Sequence, residues 1–258
     1  MSALPTQIGA LAQRSIVRTA RQPASAIPPL IFPVALMLVN AGGLKASTLL
    51  PGFPTDSFLA FALAVPFIQG ALFSTMNAGT DLARDIQTGF LNRLSLTPLR
   101  GSALLAGQLA GIAVLGLVQA VFYIAVGLIV GVHFATGLLG ILVLLVFAAI
   151  VSVGFGALGS FLALRTGSGE AIQGLFPVLF VFLFLSSMNT PRNLIAVDWF
   201  RAVANGNPVS YLIECVRSLI ITGWDGEALA LGFGIAIVIA FLSLAAASWA
   251  LTRRMERT

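Results

Sequence analysis

Residues 81–100 read DLARDIQTGFLNRLSLTPLR, a charged amphipathic insert between two long apolar runs near 57–79 and 102–130. A chain that only reverses direction at a membrane surface needs a few residues. An insert of this size is expected to fold, and to offer its surface to a partner. Asp81, Arg84 and Asp85 open it, and acidic residues suit a helix N-terminus, where the backbone dipole is positive. Thr88-Gly89 breaks the run, Phe90 and Leu94 supply an apolar face, Arg93 flanks that face, and Thr97-Pro98 ends it. The expectation is a short transverse helix whose Phe90/Leu94 knob enters a groove on a cytoplasmic protein. The competing reading is a solvated connector, which has little reason to expose phenylalanine.

Outside the insert (80–101) the chain is strongly apolar. It is 58% hydrophobic and 9% charged, against about 25% charged for a soluble domain. Lipid cannot satisfy backbone N–H and C=O groups, so spanning segments are helices or closed barrels. The apolar runs are continuous rather than alternating, which selects an all-α polytopic membrane protein. A helix needs about 20 apolar residues to cross. Six segments are candidates, near 27–43, 57–79, 102–130, 137–164, 170–187 and 227–251. The first is the weakest, because Pro28, Pro29, Pro33 and Asn40 interrupt it.

Basic residues orient the chain. With the N-terminus inside, the cytoplasmic side carries ten arginines, at positions 14, 18, 21, 84, 93, 100, 165, 253, 254 and 257; the outside carries Lys45, Arg192, Arg201 and Arg217. This satisfies the positive-inside rule and places both termini in the cytoplasm. No small-residue cleavage site follows a short apolar core near the start, so the first helix is expected to stay as an anchor. One lysine against thirteen arginines points to a GC-rich bacterial genome and a bacterial plasma membrane.

Several function classes are excluded. A phosphate-binding loop needs Gly-Lys-Ser/Thr, and the single lysine, Lys45, precedes Ala46. Nucleotide is therefore not expected in this chain. The lone Cys215 forms no internal disulfide, and the lone His133 has no metal-ligand or catalytic companions. Catalytic and metal residues are both expected to be absent. No carboxylate lies deep in a span, whereas ion-coupled carriers usually need an acidic relay there. The net charge of +5 is accounted for by membrane topology and implies no nucleic-acid partner.

Two segments flank the spans. Residues 1–26 place Arg14, Arg18 and Arg21 on one arc of a helical wheel, with Leu4 and Leu11 at its edge. This predicts a helix lying in the cytoplasmic interface with its arginines snorkelling to lipid phosphates. The alternative is a basic tail. Residues 188–226 are too apolar for a solvated loop, and Asn207-Pro208 pairs a good N-cap with a good first helical residue. A re-entrant helix pair serving as an outer gate is expected, with Trp199, Asn207, Pro208, Tyr211, Glu214 and Arg217 as its working residues. Glu214 and Arg217 lie at i, i+3 and are expected to pair; a plain membrane anchor is the alternative.

Within the spans, Gln69, Asn77, Gln108, Gln119, Tyr123 and Gln173 are polar, and Phe176, Phe180 and Phe184 form an i, i+4 stripe. They are candidates for a substrate path. The same amides also serve ordinary helix–helix hydrogen bonding, and the stripe ordinary packing or lipid contact. Gly107/Gly111, Gly127/Gly131 and Ser152/Gly156/Ser160 form faces for close helix approach.

The stretch Ala83-Arg84-Asp85, Gly89-Phe90, Arg93-Leu94 and Thr97-Pro98-Leu99 resembles the ABC-2 type exporter permeases, particularly their daunorubicin-resistance branch. So do Asn207-Pro208-Val209-Ser210-Tyr211-Leu212, Glu214 and Val216-Arg217, and the layout as a whole. The resemblance implies a type V exporter fold in which the insert is a coupling helix. It further implies two copies of a cytoplasmic ABC ATPase, which bind the ATP and Mg, and a second copy of this permease or a paralogue. The expected cargo is a hydrophobic drug or lipid. A lipid-linked glycan, an ion-coupled carrier and a non-transporting scaffold are the alternatives. One departure is that the family often has an acidic residue soon after the Gly, where this chain reads Phe90-Leu91-Asn92.

Overall fold

A computed structural model describes residues 4–21, 23–90 and 101–255. Every regular element among them is helical: α1 (Leu4–Ala20), α2 (Pro23–Gly43), α3 (Phe58–Ala62), α4 (Ala64–Gln87), α5 (Gly101–Ile129), α6 (Gly137–Thr166), α7 (Gly169–Phe184), α8 (Asp198–Gly206), α9 (Pro208–Arg217) and α10 (Gly226–Met255). Short 3₁₀ turns at Lys45–Leu49 and Arg192–Leu194, and a π turn at Ser218–Thr222, join them.

Among the described residues, four helical stretches are long and apolar enough to cross a membrane: Phe58–Gln87, Ala103–Ile129, Gly137–Thr166 and Gly226–Met255. The chain is a multi-pass membrane protein. The other two expected segments form shorter apolar helices, Ile27–Gly43 and Gly169–Phe184. The 16 residues of α7 reach only about 24 Å at 1.5 Å per residue, less than the ~30 Å hydrocarbon core.

Prolines set the local breaks. Pro66 has no N–H for the carbonyl four residues back, and its ring crowds that carbonyl. The residue concerned is Ala62, where α3 ends. In α2, Pro33 likewise leaves the Pro29 carbonyl without its helical donor. The Tyr123 hydroxyl of α5 donates to that carbonyl and so closes the gap.

α6 is the hub, packed between α4 and α10 with α5 alongside. Its small residues face different neighbours. A Cβ on Gly154 would lie 3.1 Å from Ala240 Cα of α10, one on Gly156 2.8 Å from Ile112 Cγ2 of α5, and one on Gly159 2.0 Å from the Thr75 carbonyl of α4. Close backbone contact of this kind replaces the hydrophobic drive that lipid removes. Thr75 Oγ1 adds a cross-helix bond to the Phe155 carbonyl at 2.9 Å. α4 is the most enclosed spanning helix: its apolar window is 83% buried, against 22% for that of α10.

Candidate functional site

The end of α4 carries the first half of the insert. Asp81 and Asp85 do not open a new helix as the sequence leads one to expect; α4 runs through them to Gln87. They therefore sit near a helix C-terminus, where the dipole disfavours negative charge. Two arginines of α1 compensate. Arg14 donates from Nη1 to Asp85 Oδ2 at 3.1 Å and from Nη2 to Oδ1 at 3.0 Å. Arg18 reaches Asp85 Oδ1 and Asp81 Oδ1, both at 3.1 Å. This corrects the expectation that these arginines are spent on lipid phosphate. Arg21 and Arg84 remain exposed.

Phe90 is half-buried, with the Arg14 guanidinium 4.1 Å over its ring, so it is not a bare knob. Thr88 closes α4 by donating from Oγ1 to the Arg84 carbonyl at 2.9 Å, and Gly89 follows at φ +68°, in the left-handed region. Arg93, Leu94, Thr97 and Pro98 lie outside the described residues. The same end of the bundle is tied together elsewhere. Gln87 Nε2 donates to the Gly167 carbonyl at 3.2 Å, and Arg254 Nη1 of α10 donates to the Leu164 carbonyl of α6 at 2.9 Å.

The candidate path residues separate into two groups. Gln108, Gln119 and Tyr123 of α5 face α4 inside one chain, and Gln69 is buried on α4. Gln108 Nε2 donates to the Ala78 carbonyl at 2.9 Å. Gln119 is buried, and its Oε1 lies 2.9 Å from where a Cβ on Gly70 would stand. Tyr123 is fully buried and committed to Pro29. Gln69 is fully buried, and both of its amide atoms lack a partner among the described residues, as does Gln108 Oε1. Unpaired buried amides are costly.

The second group lines the outer faces of α2, α4 and α7. Phe176 and Phe180 sit 4.6 Å apart, centroid to centroid, and Phe180 and Phe184 6.2 Å apart. Phe73 of α4 joins at 5.0 Å from Phe176, and Phe32 of α2 at 5.9 Å from Phe180. Asn77 lies one helical turn after Phe73 and is half-buried; Gln173 is exposed. Phe184 is 52% exposed and Phe32 46%, so the strip looks outward from the chain. Sequence reasoning missed Phe32 and Phe73, because a single phenylalanine on each of two separate helices makes no periodic signal.

The segment 188–226 is ordered by bonds at both ends. Asn207 Oδ1 accepts from the Val209 N–H at 3.0 Å and caps α9, with Pro208 at its first turn. Its Nδ2 donates to the Phe182 and Leu185 carbonyls at 2.6 and 3.1 Å, closing the end of α7. Tyr211 donates to the Asn205 carbonyl at 2.7 Å, and Trp199 is exposed on α8.

The expected Glu214–Arg217 pair does not form. Glu214 is gripped by Arg192 through Nε at 2.7 Å and Nη2 at 2.5 Å. Arg217 is buried and donates to three backbone carbonyls, those of Phe61 at 3.1 Å, Ser187 at 2.6 Å and Met188 at 2.5 Å. The partner of Glu214 comes from 22 residues away in sequence, so helical spacing could not reveal it. Cys215 packs on Gly232 of α10; it is fully buried, and burial pushes its thiol up to about 12.

Comparison with known proteins places the chain in a family. The model of the ABC-2 type transporter family matches residues 6–221. The chain is 30% identical over 226 residues to the daunorubicin resistance ABC transporter permease protein DrrB1 of Streptomyces coeruleorubidus, covering 84% of this chain and 75% of that protein. It is 28% identical to the putative transport permease ycf38 of Porphyra purpurea, covering 82% and 72%. It is 24% identical to the probable doxorubicin resistance ABC transporter permease protein DrrC of Mycobacterium tuberculosis, covering 81% and 75%. The match runs from α1 through the insert to the end of α9, and the chain belongs to the ABC-2 type transporter family.

Proposed function

We propose that this protein is the membrane subunit of an ATP-driven exporter for a hydrophobic drug-like or lipid substrate, powered by a separate cytoplasmic ABC ATPase that binds the ATP and Mg. Two copies of the permease, or one with a paralogue, face two ATPase subunits across six spans each, with α2 and α7 counted as spans and both termini cytoplasmic. The observation that carries this reading is the family match over 6–221, and the drug-resistance names of two relatives favour the substrate class.

The ATPase docks on the part of the insert that follows Thr88. Because Asp81 and Asp85 hold α1, movement of that segment draws α1 and α4 together. The aromatic strip of Phe32, Phe73, Phe176, Phe180 and Phe184 faces the second copy and lines the path with adaptable apolar contact. Energy enters through contacts that differ between the two states of the complex.

The test is reconstitution of the permease with its ATPase in vesicles, with daunorubicin as probe cargo. Phe90→Ala and Arg93→Glu are expected to abolish ATP-dependent export while the permease still inserts in the membrane. Export at the parental rate by both variants, or export by the permease without any ATPase, overturns the proposal.

A further inference from the structure

The re-entrant segment borders an open cavity of about 560 Å³, completed by Pro54, Phe61 and Ala228, which the proposed path does not use. That volume falls in the ~300–1,000 Å³ range of small-molecule sites. Its floor is Phe61, with Pro54, Pro191 and Ile221 as apolar wall, and its polar lining includes Arg192, Arg201 and Arg217 against Glu214 and Asp225.

The charges do not balance locally. Arg192 and Glu214 neutralise each other in their two-point pair. Asp225 Oδ1 accepts from the N–H groups of Glu227 and Ala228 at the start of α10 and keeps its charge, so the lining carries three arginines against two carboxylates. Arg201 holds the Ile195 carbonyl at 2.8 Å, and its carboxylate partner Asp198, at 3.3 Å, is 95% exposed and screened by solvent. Arg217 is the decisive group. It is 6% exposed, has no carboxylate within salt-bridge distance among the described residues, and rests 3.4 Å over the Phe61 ring. Three of its N–H groups are spent on carbonyls; a guanidinium has five. The charge of Glu214 reaches it, but that carboxylate is already held by Arg192; a buried cation with only a shared counter-ion is costly, and an anion entering this cavity would supply a second.

The geometry points to a binding site for one oxyanion carried on an apolar body: the phosphodiester headgroup of an anionic phospholipid, seated with its phosphate toward Arg217 and Arg201 and its glycerol end along Phe61 and Ile221. The same oxyanion chemistry is present in soluble glycerol phosphate, which lacks the apolar body. That the headgroup comes from the outer leaflet rests on the topology proposed above; the site itself does not.

The purified permease, without ATPase, is placed in nanodiscs of phosphatidylcholine with a minor fraction of phosphatidylglycerol, and the lipid retained after detergent exchange is counted by native mass spectrometry. Selective retention of phosphatidylglycerol is expected, weakened about tenfold in Arg201→Gln by loss of a charge-assisted contact. Ala228→Phe, which fills the cavity and keeps all three arginines, is expected to weaken it similarly, and Arg217→Lys tests the buried cation. Persistence of the lipid in millimolar glycerol phosphate assigns the lipid source; displacement by it overturns the lipid assignment in favour of a soluble ligand. Equal retention of both lipids, or retention unchanged in Arg201→Gln and Ala228→Phe, overturns the site. Because no transport is measured, that failure leaves the export proposal standing.

Discussion

Arg14 of α1 meets Asp85 of α4 through two parallel hydrogen bonds, at 3.0 and 3.1 Å, across 71 residues of sequence. Arg18 reinforces the contact from one turn further along α1. The N-terminal helix is thus latched to the end of the most enclosed helix of the bundle.

The latch is measurable by a double-mutant cycle. Arg14 is 41% exposed and Asp85 14%, so solvent screens the pair in part, and a coupling energy of about 0.5–1 kcal/mol is expected between Arg14→Ala and Asp85→Ala. Asp85→Ala alone should cost more than Arg14→Ala, since it removes a partner from both arginines and leaves Arg18 with Asp81 alone. Thermal unfolding of the purified permease supplies the four values. Additive effects would show that the ion pair couples nothing.

The α4–α6 crossing depends on Gly159. A Cβ there would lie 2.0 Å from the Thr75 carbonyl oxygen, which is backbone and cannot step aside. Gly159→Ala is expected to destabilise by at least about 2 kcal/mol through forced helix separation. Gly174→Ala, with nothing within 4 Å of the added atom, is expected to be neutral or slightly stabilising. Equal melting temperatures for the two variants would contradict the packing.

Much of this was legible in the sequence, for identifiable reasons. The long apolar helices follow from composition, because lipid solvates any apolar face. Asn207-Pro208 marks the start of α9 because capping is local chemistry. What escaped the sequence is long-range pairing. Asp81 and Asp85 resemble a helix start, and only the arrival of Arg14 and Arg18 explains how they survive near a helix end. Glu214 has an arginine at helical spacing, yet Arg192 takes it and Arg217 turns inward to carbonyls. Tyr123 looks like a path residue until Pro33 is seen to orphan the Pro29 carbonyl.

Asn207 joins two helices with one amide, as acceptor for α9 and donor to α7. Asn207→Asp keeps the cap but turns a carboxylate oxygen toward the Phe182 and Leu185 carbonyls. Asn207→Ala loses both functions. Capping alone is worth about 0.5–2 kcal/mol, and the stranded carbonyls add about 1–3 kcal/mol. Both variants should therefore lower the melting temperature, and Asp should not rescue. A fully stable Asn207→Asp protein would show that only the cap matters.

The final prediction concerns whether α9 moves. Cys215, the chain's one thiol, is pressed against Gly232, where a Cβ would come within 2.2 Å of its own Cβ. Burial pushes the thiol up to about 12, which disfavours thiolate, the reactive form, at neutral pH. An impermeant maleimide should therefore leave the nucleotide-free complex almost unlabelled while labelling the denatured chain fully. If the re-entrant pair is an outer gate, trapping the ATPase with ATP separates α9 from α10 and raises the labelling rate about tenfold or more. The same slow rate in both states, with full labelling after denaturation, would mean that α9 and α10 stay together through the cycle and that the pair is a fixed anchor. Rapid labelling before ATP is added would contradict the α9–α10 packing itself.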